Sequence, residues 1–323
     1  NNPILTEIRR QGHFPPIDKP IGWDGEGFRK IFPTKVLPFQ EIDLVELSAS
    51  KATPNRLIWG DNLTIMRSLP DECLDLVYID PPFFSGRNYN LIFGDEDEER
   101  TFRDIWDGGL QTYLAWMNAR LFELKRLLKK SGSLYVHLDW HAAHYVKVEL
   151  DKIFGSECFL NEVIWSYNTR TMPTKWYARK HDNILFYVKD KDSFKFNLDE
   201  VRIGYKEDSL KQYNKIDEQG RRYKPQSNGQ RTYLNEKGQP CPSVWDFQIL
   251  GSRDRERIGY PTQKPEKLLE RIILASTSEG DVVADFFCGG GTTATTAQKL
   301  GRRWLSCDIS RVAIQVASDR IAN

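Results

Sequence analysis

The 323-residue chain holds little of what marks a secreted, metal-bound or membrane protein. Its five cysteines, Cys73, Cys158, Cys241, Cys288 and Cys307, form no CxxC pair and no metal-like spacing with the five histidines, which argues against a disulfide framework and a zinc site. No apolar run approaches the ~20 residues that span a bilayer, and no charged-then-apolar leader opens the sequence. Membrane insertion and secretion are therefore not expected, and the expected compartment is a reducing cytoplasm. Net charge is almost absent: 46 Lys and Arg against 45 Asp and Glu leave +1, so a polyanionic partner would have to be met by a local basic surface. Neither an internal repeat nor a low-complexity tract occurs.

What is present is enough for a core. Hydrophobic residues make up 40% and aromatics 12%, which predicts a globular chain of one large domain or two smaller ones. The first 40 residues carry six of the 16 prolines, and residues 1–50 read as an irregular N-terminal arm whose Phe14, Trp23 and Phe28 can pack on the body. From Arg56 an α/β rhythm begins, with a short apolar run to Trp59, the pair Gly60-Asp61, a helix over 62–69 and a strand over 74–79. Leu114, Met117, Leu121, Leu124 and Leu128 recur at spacings of three and four, predicting an amphipathic helix over 111–130 with Gly132 just beyond its end. Strands are predicted over 133–139, 163–167 and 184–188, and a helix over 142–153.

Over 191–257 the pattern loosens into a polar stretch with few apolar repeats, which reads as a separate small module. Order returns with a helix beginning at Pro265, a buried strand over 281–285, a glycine-rich turn, a helix ending near Gly301 and a strand from Arg303 that closes on Asp308.

Two strand ends carry the chemistry. Asp80-Pro81-Pro82-Phe83 puts a carboxylate, a main-chain carbonyl and an aromatic face where a buried strand stops. Two prolines stiffen the turn and remove two backbone donors, so nearby carbonyls can accept from a ligand. That grouping can grip a planar base by its amino group. At the second strand end, Asp285 is followed by Phe287-Cys288-Gly289-Gly290-Gly291, reading FxGxG instead of GxGxxG. A strand, a glycine turn, a helix and a second strand ending in an acid is the layout that holds the nucleoside part of a cofactor, with Asp308 set to receive ribose hydroxyls. Asp285 can pair with a cationic amine, which suits an ammonium-bearing cofactor better than a pyrophosphate. A tight β–α turn without a ligand explains FxGxG alone equally well.

In this combination and order the chain resembles the amino-group DNA methyltransferases that use S-adenosylmethionine. The catalytic tetrapeptide precedes the variable module and the glycine motif follows it, as in that family's beta group. Gly60-Asp61-Asn62-Leu63, His181-Asp182-x-x-Leu185 and Pro261-Thr262-Gln263-Lys264-Pro265 extend the likeness, which covers most of 56–190 and 258–323. The resemblance implies an α/β, doubly wound, mostly parallel seven-stranded methyltransferase sheet. Its catalytic and cofactor-binding domain would comprise 51–190 and 258–323, and the inserted small target-recognition module 191–257. Asp285, Phe287, Gly289 and Gly291 match positions lining the cofactor, and Cys288 and Thr292 lie in the same stretch, Cys288 as a small residue that fits. Asp308 matches the ribose acid, Asp61 a position near the adenine, and Thr262 and Lys264 positions near the methionine carboxylate. The family usually has proline where this chain has Phe286, and often tyrosine where it has Phe83.

Asp80, Pro81, Pro82 and Phe83 form the expected catalytic set. An exocyclic amine is a poor nucleophile because its lone pair is delocalised; Asp80 and the Pro81 carbonyl can accept its two hydrogens and turn the lone pair toward a sulfonium methyl. A carboxylate of ordinary pKa, about 4, is too weak to deprotonate a neutral amine first, so proton loss should follow transfer. Neither a metal nor a covalent intermediate is needed. The target base must leave its stack, and Phe83 can stack on it; a core aromatic at a strand end is the plainer reading of Phe83 without the preceding Asp-Pro-Pro.

Double-stranded DNA is the expected partner. Arg170, Lys175, Arg179 and Lys180 interleave with Tyr167, Trp176 and Tyr177 in a stretch without acids, as suits phosphate contact and wedging, although a solvated basic loop has the same composition. Arg221, Arg222 and Lys224, with Asn228, Gln230 and Arg231, can read base edges or simply face water. The acidic run 95–99 would repel phosphate. His137, Asp139 and His141 read as strand-end packing and capping, and His181 with Asp182 as a structural pair. The resemblance favours adenine N6 over cytosine N4, and allows a homodimer and a companion restriction endonuclease. Methylation of RNA or a protein amide, and a DNA-binding protein that has lost transfer activity, remain the competing readings.

Overall fold

The computed structural model describes residues 55–84, 109–170, 172–251 and 253–322. The arm 1–50 and the acidic run 95–99 therefore lie outside the described residues. Eight strands form the main sheet: β1 (Arg56–Trp59), β2 (Leu74–Ile79), β3 (Leu128–Leu138), β4 (Phe159–Ser166), β5 (His181–Val188), β9 (Val244–Asp246), β10 (Val282–Asp285) and β11 (Arg303–Asp308), in the order β1-β11-β10-β2-β3-β5-β4-β9. The intervening β6 (Lys215–Ile216), β7 (Arg222–Pro225) and β8 (Arg231–Tyr233) make a separate three-stranded antiparallel sheet. In the main sheet only β5 runs against the others.

The central strands form because their residues are apolar on both faces. Every residue of β2 is buried, and β10 is a Val-Val-Ala run, the pattern of a parallel strand covered by helices on both sides. Those helices are α1 (Asn62–Ser68), α2 (Gly109–Leu127), α3 (Ala143–Phe154), α5 (Glu266–Ser276), α6 (Thr292–Lys299) and α7 (Arg311–Ala322); the short α4 (Glu207–Lys211) lies in the polar segment. Leu268, Leu269, Ile272 and Ile273 of α5 are all fully enclosed, each burial contributing about 1.5–3 kcal/mol. None of the described helices is long and apolar enough to cross a membrane.

Two departures from expectation have local causes. The helix predicted over 111–130 stops at Leu127, and Gly132 lies inside β3. Pairing with β2 starts at Leu74–Leu128 and resumes at Leu76–Ser133, so residues 129–132 bulge, and a Cβ on Gly132 would fall 2.9 Å from the Lys129 carbonyl oxygen. The sheet also has eight strands instead of seven, because β9, from the segment read as a separate module, pairs with β4 at the edge. Three residues are too few to show a period, but Trp245 is buried there and the Trp165 indole N–H donates to the Phe247 carbonyl at 2.9 Å.

Strand order fixes where the site lies. β10 continues through α6 to β11 on one side, while β2 continues through α2 to β3 on the other, so the chain diverges between the adjacent β10 and β2. A crevice opens at the carboxyl ends of strands at such a switch point.

Candidate active site at the switch point

Asp80 follows β2 on one side of that crevice. Its Oδ2 accepts from the Lys264 ammonium, which joins residues 184 positions apart and brings the Pro261–Pro265 segment onto the Asp-Pro-Pro-Phe turn. Lys264 Nζ also lies 5.9 Å from the centre of the Phe83 ring, and Phe83 is half-buried with its ring 6.0 Å from that of His137. Phe83 thus keeps one side on the core while remaining accessible, as a stacking face requires. Lys264, expected beside a ligand carboxylate, here neutralises Asp80.

Asp285 ends β10 on the opposite side and is almost fully buried. It accepts from the Thr293 hydroxyl at 2.5 Å and the Phe287 N–H at 3.0 Å. Burial lifts its pKa to about 7 despite those donors, and the negative charges of Asp80 and Asp308 add to the rise. The turn that follows depends on glycine: Gly289 and Gly291 have φ of +48° and +74°, and a Cβ on Gly291 would come 2.8 Å from that of Ala317. Tyr260 and Ile258 lie over the turn, 3.1 Å and 3.0 Å from where Cβ atoms of Gly289 and Gly290 would stand. Phe286, where the resemblance has proline, is wholly buried and its carbonyl accepts from Asn62 at 2.9 Å.

Asp308, at the end of β11, accepts from the Gly289 and Ser310 N–H groups, both at 2.9 Å, and burial raises its pKa against those backbone donors. Thr292 donates to the Lys264 carbonyl at 3.3 Å and accepts from Arg320 at 2.8 Å, tying the glycine turn to the Lys264 segment. Cys288 is buried with its thiol pKa pushed well up by desolvation, as an inert small residue would be. Asp61 caps α1 through the Thr64 N–H at 3.0 Å and also accepts from Arg120 at 3.1 Å. Asp80, Asp285 and Asp308 share this edge, yet only Asp80 has a cation beside it among the described residues. A crevice walled by a buried Asp285 and a half-buried Asp308, neither with a cationic partner among the described residues, favours a positively charged ligand.

The residues expected to face nucleic acid divide into two groups. Arg170, Lys175, Trp176 and Arg179 are exposed on the loop joining β4 and β5, with Trp176 62% and Tyr177 96% accessible. Lys180 is half-buried and its carbonyl accepts from the Tyr167 N–H at 2.9 Å, closing the loop at the strand ends. The antiparallel register of β5 against β3 puts Asn183 opposite Leu138, so the loop shares the edge that carries Asp80. The guanidinium of Arg179 stacks 3.8 Å from the Trp140 ring centre.

On the small sheet, Arg222 is exposed, but Arg221 is held by Asp217 at 2.9 Å and lies 4.3 Å from the Tyr233 ring. Lys224 faces the Tyr213 ring at 5.3 Å. Asp139 caps the following turn, accepting from the His141 N–H at 2.9 Å, as the sequence suggested. His181 is exposed, whereas Asp182 pairs with His137 and Tyr167 instead of with His181.

Sequence reasoning did not single out Arg120, Tyr260 or Trp140. Arg120 is buried on α2, donates to Asn62 at 2.7 Å and stacks 3.9 Å from the Trp116 ring, and desolvation lowers its pKa to about 10 although Asp61 opposes the shift. A signal existed: Arg120 lies three residues after Met117 and four before Leu124, on the stripe that should be apolar. Tyr260 and Trp140 gave none, since each stands outside a periodic element.

A family model described as DNA methylase, for the N6 and N4 amino methyltransferases, matches residues 74–319. Type II methyltransferase M.HpaI of Haemophilus parainfluenzae is 30% identical over 266 residues, 82% of this chain and 74% of the relative. DNA adenine methyltransferase YhdJ of Escherichia coli K12 is 31% identical over 270 residues, 82% of each chain. The solved structure of PvuII DNA methyltransferase, cytosine-N4-specific, superposes with a TM-score of 0.58 at 17% identity, covering 84% of this chain and 87% of that one. A putative DNA modification methylase of Thermus thermophilus, complexed with S-adenosyl-L-methionine, gives 0.52 at 20% identity over 83% and 93% of the chains.

Proposed function

Since the chain belongs to the N6/N4 DNA methylase family and is a DNA methyltransferase, we propose that it methylates the N6 amino group of a flipped adenine at a specific site in duplex DNA, with S-adenosylmethionine as donor. The observation that carries this reading is the Lys264–Asp80 contact, which joins the Asp-Pro-Pro-Phe turn to the Pro261–Pro265 segment beside the glycine turn. Adenine is supported by the name of the E. coli relative and by aspartate at the head of the tetrapeptide.

The residues present fit the donor. Asp285 is a buried and Asp308 a half-buried carboxylate, neither with a cationic partner among the described residues, and the glycine turn lets the backbone approach closely. Asp308 would hold ribose hydroxyls, Asp61 and Phe287 would border the adenine moiety, and Asp285 would face the ammonium. The Lys264 segment, held to the turn by the Thr292 hydroxyl, would border the carboxylate through Thr262 and through Lys264 where its ammonium is shared with Asp80, and Cys288, Gly289, Gly291 and Thr292 would form the floor of the site. When bound, the cofactor supplies an electrophilic methyl on sulfonium sulfur.

The chain's own groups then do positioning work. Asp80 and the Pro81 carbonyl accept the two amine hydrogens and aim the nitrogen lone pair, Pro82 stiffens the turn, and Phe83 stacks on the extruded base. Stacking worth about 1–3 kcal/mol offsets part of an extrusion cost of a few kcal/mol. Direct in-line transfer gains from holding both reactants close, and Asp80 takes the proton once the nitrogen has become cationic. The 170–180 loop would meet phosphates and fill the vacated stack, while Arg222 and its neighbours on the small sheet in 191–257 would read the site. The type II names of several relatives support a companion restriction endonuclease, and a homodimer is the assembly we expect.

Incubation with genomic DNA and labelled donor, followed by base-resolved mapping, tests the reading. Methyl groups on adenine N6 within one short sequence are expected. Label confined to cytosine N4 would replace the substrate, and no transfer at all would overturn the activity.

A further inference from the structure

Between β9 and α5 the chain travels from the margin of the sheet to the glycine turn, and it does so along the edge that carries Asp80. At its start, Asp246 pairs with Ser166 at the end of β4, the Phe247 carbonyl accepts from the Trp165 indole at 2.9 Å, and the Gln248 side-chain carbonyl accepts from the Asn168 N–H at 3.1 Å. At its far end, Ile258 and Tyr260 lie over Gly290 and Gly289, and Lys264 reaches Asp80. Between these anchors stands Arg253-Asp254-Arg255-Glu256-Arg257, a run of alternating sign in which three arginines nearly cancel against two acids.

The fold gives the two signs different work. Asp254, itself exposed, turns back and accepts from the Gly251 N–H. Glu256 accepts at 3.1 Å from the N–H of Glu266, the first residue of α5, where a helix start favours negative charge. Each acid is thus engaged by a backbone donor. Arg253, Arg255 and Arg257 are all exposed, and none forms an ion pair among the described residues; Arg257 alone has a partner, donating to the Leu250 carbonyl at 3.3 Å. The backbone beneath them is pinned: the Arg257 N–H donates to the Asp254 carbonyl at 3.1 Å, while the Gln263 side chain accepts from the Ile258 N–H at 2.9 Å and donates to the Glu256 carbonyl at 2.6 Å. Three guanidinium groups are held out from a fixed arch beside the crevice, on a protein whose net charge is only +1.

We propose that Arg253, Arg255 and Arg257 bind backbone phosphates of duplex DNA on the glycine-turn side of Asp80. A planar guanidinium makes paired hydrogen bonds to phosphate oxygens, so arginine suits that contact. With the 170–180 loop on the β4–β5 side, phosphate contacts then bracket the extruded nucleotide from two directions. Contacts of this kind fix the register of the duplex without reading its sequence. The proposal rests on the reading of duplex DNA as the substrate.

Fluorescence anisotropy of the full-length protein on a labelled duplex, repeated over a range of salt concentrations, counts such contacts, because each contributes about 0.9 to the slope of log affinity against log salt. Arg253→Gln/Arg255→Gln protein should lose about 1.8 from that slope, equally on duplexes with and without the methylated site, with an unchanged thermal midpoint. Arg253→Lys/Arg255→Lys should keep most of the slope. Lys130→Gln/Lys191→Gln, which removes two charges from the opposite edge, where β3 begins and β5 has ended, should keep all of it. A wild-type slope in the glutamine double variant, or the same loss in the opposite-edge variant, overturns the arch. Duplex binding by the wild type without any methyl transfer overturns the proposed function alone, since the slope still judges the arginines; a wild type that binds no duplex overturns both.

Discussion

Asp80 and Asp285 occupy equivalent places on neighbouring parallel strands, yet the fold makes different groups of them. Asp80 follows β2 in a turn stiffened by two prolines, is partly exposed and is paired with Lys264. Asp285 ends β10 before a turn that needs glycines in the left-handed region, is enclosed, and has its pKa raised to about 7. Proline strips donors and leaves acceptors facing outward, whereas glycine removes side chains and lets a ligand approach the backbone. One strand end is therefore suited to gripping an amine, and the other to receiving a cation.

If that division of labour is right, Asp80→Ala should have the largest effect. Tritiated-methyl transfer is expected to fall about 10²–10⁴-fold, while calorimetry finds cofactor affinity nearly unchanged. Equal losses in both measurements would erase the distinction between the two turns. On the opposite wall, Asp308→Ala should weaken cofactor binding about ten- to hundredfold by removing a charged acceptor, with a smaller change in the rate at saturating donor.

The aromatic side of the Asp80 turn gives a third test. Phe83→Ala should cost about 1–3 kcal/mol of target-base stacking, whereas Phe83→Tyr and Phe83→Trp retain activity; identical rates in all four proteins would remove stacking from the account.

The smallest effect, and the sharpest on the Asp285 side, is with pH. A cationic ligand favours the ionised carboxylate, so cofactor affinity should fall by up to about tenfold per unit below a pH of about 7. Because this pKa is raised on folding, its contribution to stability in the ligand-free protein is complete below the unfolded value near 4 and is lost as pH rises through about 7. Calorimetry in buffers of different ionisation enthalpy should detect proton release on binding, and Asp285→Asn should abolish it.

Much of this was legible because the signals are local. A run such as Leu74 to Ile79 can only be a buried strand, and an aspartate followed by Pro-Pro or by a glycine turn announces where such a strand stops. The parts that escaped were those whose partners are distant in sequence. β9 is three residues long and exists because β4 offers an edge and Trp245 has somewhere to pack. Arg120 looked like a fault in an apolar stripe until Asn62 and Asp61 lay beside it. His181-Asp182 looked like a pair, but alternation along β5 leaves His181 exposed and sends Asp182 to His137.

The sequence by itself determined the α/β class, the two strand-end turns and their order, because apolar period, proline and glycine act over a few residues. Only the tertiary structure decided that Lys264 would neutralise Asp80, that Asp285 would be enclosed without a cation among the described residues, and that His137 would stand between Asp80 and Asp182. Burial and charge pairing depend on what the sheet brings together across 45 to 184 residues of chain, and no local pattern encodes those distances.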